Sequence, residues 1–274
     1  MRNLQAALRH IRLFLLDLDG TTTIEDELLP GTKELIRTLI RQKKDYVFLT
    51  NNCSKRAADY VAKLKGLGIA ATIENVFTAG QATAQYINST MKGARIFLLG
   101  TRALRREMAE AGIRILDSPD REYDYVVVSF DKELTYRRLE IACQLIDRGV
   151  PFLATHPDLV CPLKNKRFIP DCGSICQMIE NATGRKPKYF GKPDKVMVKL
   201  IARQKQVPLR AIAMAGDRLY TDIALGKNAG IFTMCVLTGE SSRKDIRRSP
   251  LKPDAVLHSI AELAGCLRDI SDVE

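Results

Sequence analysis

Short apolar runs alternate with amphipathic stretches along almost the whole chain, and this alternation limits the folds open to it. Seven apolar runs suit buried strands: residues 12–16, 46–49, 95–99, 125–128, 152–154, 211–215 and 231–236. Stretches with helical periodicity follow most of them. This order of strands and helices is typical of a parallel sheet layered with helices. The sequence therefore predicts an α/β fold.

The helical stretches indicate two separate bodies. Helices are predicted at residues 32–41, 56–65, 103–110, 136–147 and 173–181, and from about residue 221 to just before residue 230. The first of them is expected to place four side chains on one apolar face: Leu35, Ile36, Leu39 and Ile40. The middle of the chain has its own strands and helices. We therefore predict a core of residues 1–81 and 181–274, with a smaller α/β domain inserted at residues 82–180.

Composition is that of an ordinary globular protein. The chain has 274 residues, of which 46% are hydrophobic and 27% charged, which is enough for a core domain that carries an inserted one. The apolar runs are far shorter than the ~18 residues that a membrane span needs. Arg9 and Arg12 interrupt the apolar character of the N-terminus, so no signal peptide is predicted. The expected location is cytoplasmic, without membrane contact.

The formal net charge of +11 allows two interpretations. A strongly basic domain can bind nucleic acid by releasing counterions from phosphates. It can also have a solvated surface whose field attracts small anionic substrates. The basic residues are spread along the chain without the interleaved aromatic side chains of a base-stacking surface. The second interpretation is favoured, and no nucleic-acid partner is expected.

The seven cysteines are scattered and form no CxxC pair. Cys172 and Cys176 are four residues apart, but they lack the nearby His or Cys partners of a zinc site. The odd number argues against a complete set of disulfides. We interpret the cysteines as small buried residues or inert thiols.

The most informative motif is DLDGT at residues 17–21, directly after an apolar run. Side chains two residues apart on a strand point to the same side, so Asp17 and Asp19 can face one site. Ligands of open α/β sheets bind outside the carboxyl ends of the strands, where this pair lies. Two adjacent carboxylates repel unless a proton or a cation such as Mg²⁺ lies between them. The structural alternative is a solvated turn.

Two further segments supply groups that suit a phosphate. Thr50, Asn51 and Asn52 follow the second predicted strand and can donate hydrogen bonds to phosphate oxygens, although Thr and Asn are also ordinary helix N-caps. Lys192 offers a compact positive charge. Taken alone, it is better explained as a surface lysine beside a helix start.

The last segment, residues 215–222, follows another predicted strand and contains Asp217 and Asp222. One of these carboxylates can bind a metal ion while the other orients its neighbours. The alternative is a capped helix, because acidic residues near a helix N-terminus are stabilised by the helix dipole.

In order and type, these four segments resemble the four motifs of the haloacid dehalogenase-like (HAD) superfamily. The chain is most similar to its NagD-like or p-nitrophenyl phosphatase branch, at residues 49–52, 172–174, 183–187, 191–193, 216–218 and 221–223. The resemblance covers nearly the whole chain. It implies a Rossmann-like parallel-sheet core with a second, smaller α/β cap domain inserted between the second and third motifs. It also implies a phosphatase that acts on small organic phosphate monoesters.

The catalytic roles of the family can be placed on single residues. By resemblance, Asp17 is the nucleophile that forms an aspartyl phosphate. Asp19 resembles the acid/base, which protonates the leaving alkoxide and then accepts a proton from water. The dehalogenases of the superfamily lack this second aspartate, because a halide leaves without a proton. Its presence here therefore indicates phosphoryl transfer.

The resemblance also assigns substrate-binding and metal-binding groups. Thr50 and the amide of Asn51 resemble the phosphate clamp, with Asn52 in the same segment, and Lys192 balances negative charge on the nucleophile and the phosphoryl group. Mg²⁺ is expected on the carboxylates of Asp17 and Asp217 and on the main-chain carbonyl of Asp19, and Asp222 is expected to support Lys192 or the metal-bound waters. By resemblance, the catalytic residues are therefore Asp17, Asp19, Thr50 and Lys192, and the metal ligands are Asp17, Asp19 and Asp217.

Two residues of the predicted cap have open roles. His156 stands where this branch usually has Asn, and a structural hydrogen-bonding role is favoured over a substrate contact. Asp131 is either a residue near a helix start or a cap contact; the sequence does not decide between these.

The substrate also remains open. A cap would admit only small phosphorylated metabolites, because a site that excludes water is not accessible to macromolecules. Sugar phosphates, nucleoside monophosphates, phosphoglycolate and pyridoxal phosphate all fit. A phosphotransferase or mutase would use the same intermediate, and a non-catalytic regulator could bind a phosphate ligand on the same scaffold. A homodimer through the cap is compatible with the resemblance.

Overall fold

The computed structural model describes residues 2–163 and 167–271. The chain divides into two compact units. The first consists of the described parts of Met1–Thr50, Val61–Phe77 and Lys192–Glu274, and the second of those of Asn51–Tyr60 and Thr78–Gly191. The predicted boundaries, after residues 81 and 180, lie inside the second unit. The assignment of residues 82–180 as a cap stays a prediction.

The strands, in chain order, are β1 (Leu13–Asp17), β2 (Thr23–Ile24), β3 (Glu27–Leu28), β4 (Asp45–Thr50), β5 (Val76–Thr78), β6 (Arg95–Leu99), β7 (Arg114–Ile115), β8 (Tyr125–Val128), β9 (Phe152–Ala154), β10 (Val160–Pro162), β11 (Phe168–Pro170), β12 (Lys188–Tyr189), β13 (Ile212–Gly216), β14 (Phe232–Val236) and β15 (Ala255–Leu257).

The helices are α1 (Arg2–His10), α2 (Thr32–Arg41), α3 (Ala57–Gly66), α4 (Ala79–Thr90), α5 (Arg102–Glu110), α6 (Tyr136–Asp147), α7 (Cys172–Thr183), α8 (Val196–Gln204), α9 (Ala224–Ala229), α10 (Arg243–Arg248) and α11 (Ile260–Ser271). A π-helical turn, Leu219–Ile223, precedes α9, and short 3₁₀ turns lie at Ile73–Asn75 and Leu209–Ala211.

The first unit is built on a six-stranded sheet in the order β15-β14-β13-β1-β4-β5. β1 pairs in parallel with β13 and β4, and β13, β14 and β15 continue the parallel pairing. The strands β2 and β3 form a separate small antiparallel pair just after β1. The central position of β1 places its C-terminal residue between the ends of two neighbouring strands.

The second unit has its own five-stranded sheet in the order β12-β9-β8-β6-β7, in which every pair is parallel. Its core is formed by apolar side chains of this sheet and of α6 and α7, among them Phe97, Val126, Val128, Ile141 and Ile175. An antiparallel pair, β10 and β11, precedes α7. The predicted α/β class with parallel sheets is therefore confirmed.

The register of β1 determines which residues meet at the edge of the first sheet. Its residues from Leu13 to Leu16 are fully buried, as expected for a parallel strand covered on both faces. Leu16 lies opposite Phe48 of β4 and Ala215 of β13. The three strands thus end at about the same level, and the polar residues at their ends share one edge.

The prediction missed many short elements and also three longer helices, α1, α4 and α11. The strands β6, β8 and β9 and the helices α2 and α6 have the predicted bounds. Apart from β9, the strands of two or three residues, such as β5 and β15, were not predicted, because so few residues show no periodicity.

One side chain of α2 was predicted wrongly. Leu35 and Leu39 are fully buried and Ile36 nearly so, but Ile40 is 55% exposed. Five residues along an α-helix correspond to a rotation of about 140° from Leu35. Ile40 therefore lies at the edge of the apolar arc rather than within it.

Within residues 2–163 and 167–271, no helix combines the length and the apolar character that crossing a bilayer requires.

Five of the seven cysteines are buried, namely Cys53, Cys172, Cys176, Cys235 and Cys266. Burial is what small apolar residues are expected to show.

We expect Leu15→Ala to lower the free energy of unfolding by about 2–5 kcal/mol, because it leaves a cavity in the central strand. Ile40→Ala serves as the exposed control and should change stability by no more than about 0.5 kcal/mol. Urea unfolding followed by circular dichroism measures both. Equal losses of stability in the two variants would contradict this assignment of core and surface.

Candidate active site

Asp17 ends β1 and lies at the carboxyl edge of the first sheet, with 7% of its surface exposed. The chain turns sharply after it. The hydroxyl of Thr22 donates a hydrogen bond to the carbonyl of Asp17 at 2.8 Å, and the amide of Gly20 donates to the carbonyl of Thr23 at 2.8 Å. Gly20 has a φ of 91°, a conformation that glycine adopts readily. The turn therefore fixes the backbone next to the predicted nucleophile.

Lys192 reaches the same point from a distant part of the sequence. Its ammonium lies 2.5 Å from Asp17 Oδ1 and 2.6 Å from Asp222 Oδ1, and it donates to the carbonyl of Leu49 at 3.5 Å. Burial alone would lower the pKa of this lysine, but the charges of the two carboxylates outweigh burial and raise it. Lys192 is therefore a charged group in the site and not a surface lysine.

Asp217 follows β13 directly and is 2% exposed. Its Oδ1 accepts a hydrogen bond from the hydroxyl of Thr21 at 3.3 Å, and its Oδ2 accepts one from the amide of Glu240 at 2.7 Å. A Cβ at Gly239 would overlap this carboxylate. The loop after β14 can hold Asp217 in place only because residue 239 has no side chain.

Asp222 is fully buried in the π-helical turn. Its Oδ2 accepts a hydrogen bond from the amide of Arg218 at 3.1 Å, while its Oδ1 contacts Lys192. A Cβ at Gly216 would overlap its side chain. π-helical turns often occur at functional sites. The sequence predicted that Asp222 supports Lys192 or the metal waters, and the structure places its carboxylate on Lys192.

The cluster has more negative than positive charge. One carboxylate oxygen from each of Asp17, Asp217 and Asp222 lies within 4.8 Å of the other two, beside the single ammonium of Lys192. Burial raises the pKa of Asp17 to about 6, although the charge of Lys192 acts in the opposite direction. Burial and the neighbouring carboxylate of Asp222 also raise the pKa of Asp217. An oxygen-rich donor set with excess negative charge suits a hard divalent cation.

Two other predicted residues lie at the same sheet edge. Thr50 ends β4 and is 3% exposed. Asp19 is partly buried, and its backbone forms an isolated bridge with Thr23. Six predicted residues of the first unit therefore lie at or beside this edge, namely Asp17, Asp19, Thr50, Lys192, Asp217 and Asp222.

Asn51 and Asn52 belong to the second unit. The side-chain amide of Asn51, which is 5% exposed, donates to both carboxylate oxygens of Asp158, at 3.2 and 3.3 Å. Oδ1 of Asn52 accepts hydrogen bonds from the amide and the hydroxyl of Ser54, at 3.0 and 2.7 Å. Asn52 therefore stabilises a local turn, and substrate contacts of both asparagines stay predictions.

The structure shows the hydrogen-bond partners of two residues whose roles the sequence left open. Both ring nitrogens of His156 are engaged: Nδ1 lies 2.9 Å from the hydroxyl of Thr155, and Nε2 lies 2.9 Å from Asp171 Oδ1. Asp131 accepts hydrogen bonds from the amide of Glu133 and, at 3.0 Å, from the guanidinium of Arg138 on α6. Both residues have hydrogen bonds within the second unit that explain their burial.

Sequence reasoning missed several contributing groups. Thr21 and the amide of Glu240 hold Asp217, and Asp158 and Asp171 form a second buried cluster with His156. The only available signal for the second cluster was the repeated Pro-Asp pair at residues 157–158 and 170–171. Such pairs are common in turns, so the signal was weak.

Comparison with known proteins agrees with this geometry. Residues 14–114 match the family model of haloacid dehalogenase-like hydrolases, and residues 189–263 match a HAD-hydrolase-like model. An acid sugar phosphatase of Staphylococcus haemolyticus is 31% identical over 246 residues, which cover 90% of this chain and 92% of that protein. The chain belongs to the haloacid dehalogenase-like hydrolase family.

Two solved structures are closely similar. The 4-nitrophenylphosphatase of Thermotoga maritima is 45% identical, with a TM-score of 0.90 over 94% of this chain and 98% of that one. A glycerol phosphate phosphatase of Mycobacterium tuberculosis, solved in complex with calcium, is 29% identical, with a TM-score of 0.85 over 94% of this chain and 76% of that one. The predicted resemblance and the predicted enzyme class, a HAD-like phosphatase, are confirmed.

The charge imbalance predicts how stability responds to cations and pH. Asp17 has a folded-state pKa of about 6 instead of 3.8, so the folded protein binds this proton more tightly than the unfolded chain does. The resulting stability is fully present below the unfolded value and is lost as the pH rises through about 6. A divalent cation can replace the proton. Magnesium should therefore raise the melting temperature of chelator-treated protein more at about pH 7.5 than at about pH 5.

Differential scanning fluorimetry at matched ionic strength measures this shift, with Asp217→Asn as the variant in which it should shrink. The same shift at both pH values, or an undiminished shift in the variant, would contradict a cation site at these carboxylates.

Proposed function

We propose that the chain is a magnesium-dependent phosphatase that hydrolyses small organic phosphate monoesters through an aspartyl phosphate on Asp17. The observation that carries this proposal is the placement of the Lys192 ammonium between Asp17 and Asp222, beside Asp217, in a chain of this hydrolase family. An ammonium bound to a nucleophilic carboxylate is well placed to attract a phosphoryl group as well. Positioning and charge stabilisation account for most of the catalysis in phosphoryl transfer.

The donor set fits a divalent metal ion. Asp17 and Asp217 each provide a carboxylate at the sheet edge, and we assign the main-chain carbonyl of Asp19 as the third protein ligand. The three neighbouring carboxylates exceed the charge of Lys192, which is why oxygen-preferring Mg²⁺ suits the site. When bound, the ion would neutralise phosphoryl oxygens and hold them for in-line displacement.

In the first step, Asp17 attacks phosphorus and the bond from phosphorus to the ester oxygen breaks. Lys192 binds Oδ1 of Asp17, so we assign Oδ2 as the attacking oxygen. Asp19 gives its proton to the leaving alkoxide, which departs as an alcohol. Thr50, Asn51 and Asn52 are the proposed phosphate-binding residues.

In the second step, water attacks phosphorus of the aspartyl phosphate. Asp19, now ionised, accepts a proton from this water, and the bond from phosphorus to Asp17 breaks. The products are inorganic phosphate and the original carboxylate of Asp17. Lys192 stabilises this carboxylate as it re-forms, and Asp222 keeps Lys192 in position.

The substrate is a small phosphorylated metabolite in this proposal. The names of the relatives point to sugar phosphates and glycerol phosphate as the first compounds to assay. Cytoplasmic location, the absence of a nucleic-acid or membrane partner and a homodimer stay predictions.

Asp17→Asn should abolish turnover of 4-nitrophenyl phosphate while the protein stays folded, because an amide cannot form the acyl phosphate. Phosphate release in the presence of magnesium and a circular dichroism spectrum measure the two parts. Turnover at the wild-type rate in this variant would refute covalent catalysis by Asp17.

Product analysis with an excess of an alcohol acceptor separates hydrolysis from its alternatives. We expect free phosphate as the product. A phosphorylated acceptor would instead identify a phosphotransferase. If no small phosphate turns over above the Asp17→Asn background, the result favours a non-catalytic regulator that binds a phosphate ligand.

Asp19→Asn should lower the rate at which alkyl phosphates phosphorylate Asp17 by about 10²–10⁴-fold, because their leaving group needs a proton. 4-Nitrophenyl phosphate should still phosphorylate Asp17, because nitrophenolate leaves without protonation. The variant should therefore show a burst of nitrophenolate followed by slow turnover, which rapid-mixing absorbance records. Equal losses in the first step with both substrates would rule out Asp19 as the general acid.

A further inference from the structure

A short buried loop in the second unit, residues 155–158, has no role in the mechanism above. Thr155 and His156 are fully buried and Asp158 is 6% exposed. Buried polar groups are costly unless they form hydrogen bonds. The partners of this loop therefore indicate what it does.

Two of its contacts are with Asn51, a predicted phosphate-binding residue, and with Gly191, which precedes another one. The two carboxylate oxygens of Asp158 accept hydrogen bonds from the side-chain amide of Asn51, at 3.2 and 3.3 Å. Asn51 follows Thr50 directly. The carbonyl of Thr155 accepts the amide of Gly191 at 2.6 Å, and Gly191 precedes Lys192. One loop thus holds two chain segments that are far apart in sequence.

The residues around Gly191 are packed too closely for a side chain at this position. A Cβ at this position would lie 2.6 Å from Oδ1 of Asn51, 2.7 Å from the carbonyl oxygen of Thr155 and 2.8 Å from Cβ of His156. Distances below 3.0 Å are too short for real Cβ contacts. Asn51, Gly191 and the loop therefore form one close-packed group.

His156 connects the loop to the N-terminus of α7. His156 connects the hydroxyl of Thr155 to Asp171, the N-cap of α7, whose Oδ1 also accepts the amide of Cys172 at 2.6 Å. The amide of Gly173 in the first turn of α7 donates to the carbonyl of Asp158 at 2.8 Å. The loop is thus anchored at both ends to a helix.

We propose that Asp158 is a positioning residue for phosphate binding: its carboxylate orients Asn51, and the loop anchored by His156 holds Asn51 and Gly191 together. This inference rests on the proposed function, in which Asn51 binds phosphate. Hydrogen bonds to an ionised carboxylate are stronger than those between neutral groups, so Asp158 can fix the amide and with it the backbone of Asn51.

A double-mutant cycle tests this role. Asp158→Ala should raise the inhibition constant of inorganic phosphate and the KM for 4-nitrophenyl phosphate by about tenfold, the effect of one lost hydrogen bond to a charged group. Asn51→Ala should raise both by a similar factor. Because Asp158 acts through Asn51, the double variant should be no worse than the more impaired single variant.

The matched control is Asp124→Asn, which replaces another carboxylate of the second unit by an amide. Asp124 accepts hydrogen bonds from the main-chain amide and the guanidinium of Arg95, at 2.7 and 3.1 Å. It should lower the melting temperature without changing KM or phosphate inhibition. If Asp158→Ala does not fold, Asp158→Asn replaces it in the cycle.

Two results would overturn the inference. One is an unchanged phosphate inhibition constant in a folded Asp158 variant; the other is a double variant whose defect equals the product of the single defects. Both leave the proposed function standing as long as the wild type turns over and Asp17→Asn does not. Loss of that difference would instead refute the proposed function itself.

Discussion

The ion pairs of Lys192 with Asp17 and Asp222 are the constraint on which the rest of the first unit depends. The ammonium and both carboxylates are buried, with contacts of 2.5 and 2.6 Å. A buried charge without a partner costs several kcal/mol or more, so the end of β1, the segment before α8 and the π-helical turn must meet at one point. The close approach of Gly216 to Asp222 follows from this requirement, because any larger residue would separate the turn from the sheet.

The same contacts leave the site electrically unbalanced. Asp217 adds a third carboxylate, and one ammonium cannot neutralise three negative charges in a buried place. Burial first, and the neighbouring carboxylates after it, raise the pKa values of Asp17 and Asp217, so both groups tend to hold protons. A divalent cation and a phosphate ester together provide the missing charges. The excess negative charge makes the cluster unfavourable by itself. The same excess suits the cluster to bind a metal ion together with a substrate.

Much of the site could be predicted because its chemistry is local in sequence. The Asp17 motif follows an apolar run, and Asp217 follows another, so both carboxylates were expected at strand ends. Other features depend on contacts that no short segment encodes. The exposure of Ile40 depends on where α2 meets the core, and the role of His156 depends on Thr155 and on Asp171, fifteen residues away. The link from Asn51 to Asp158 spans 107 residues and has no signal in either segment.

The sequence by itself determined the α/β class, the alternation of strands and helices, and the residue types that could bind a metal ion and a phosphate. These follow from periodicity and side-chain chemistry, which are properties of neighbouring residues. Only the tertiary structure decided which of these groups meet. A distance between side chains far apart in sequence is set by the register of β1 against β4 and β13 and by the packing of glycines such as Gly216 and Gly239. Neither can be obtained from local pattern, because both result from the simultaneous burial of the whole core.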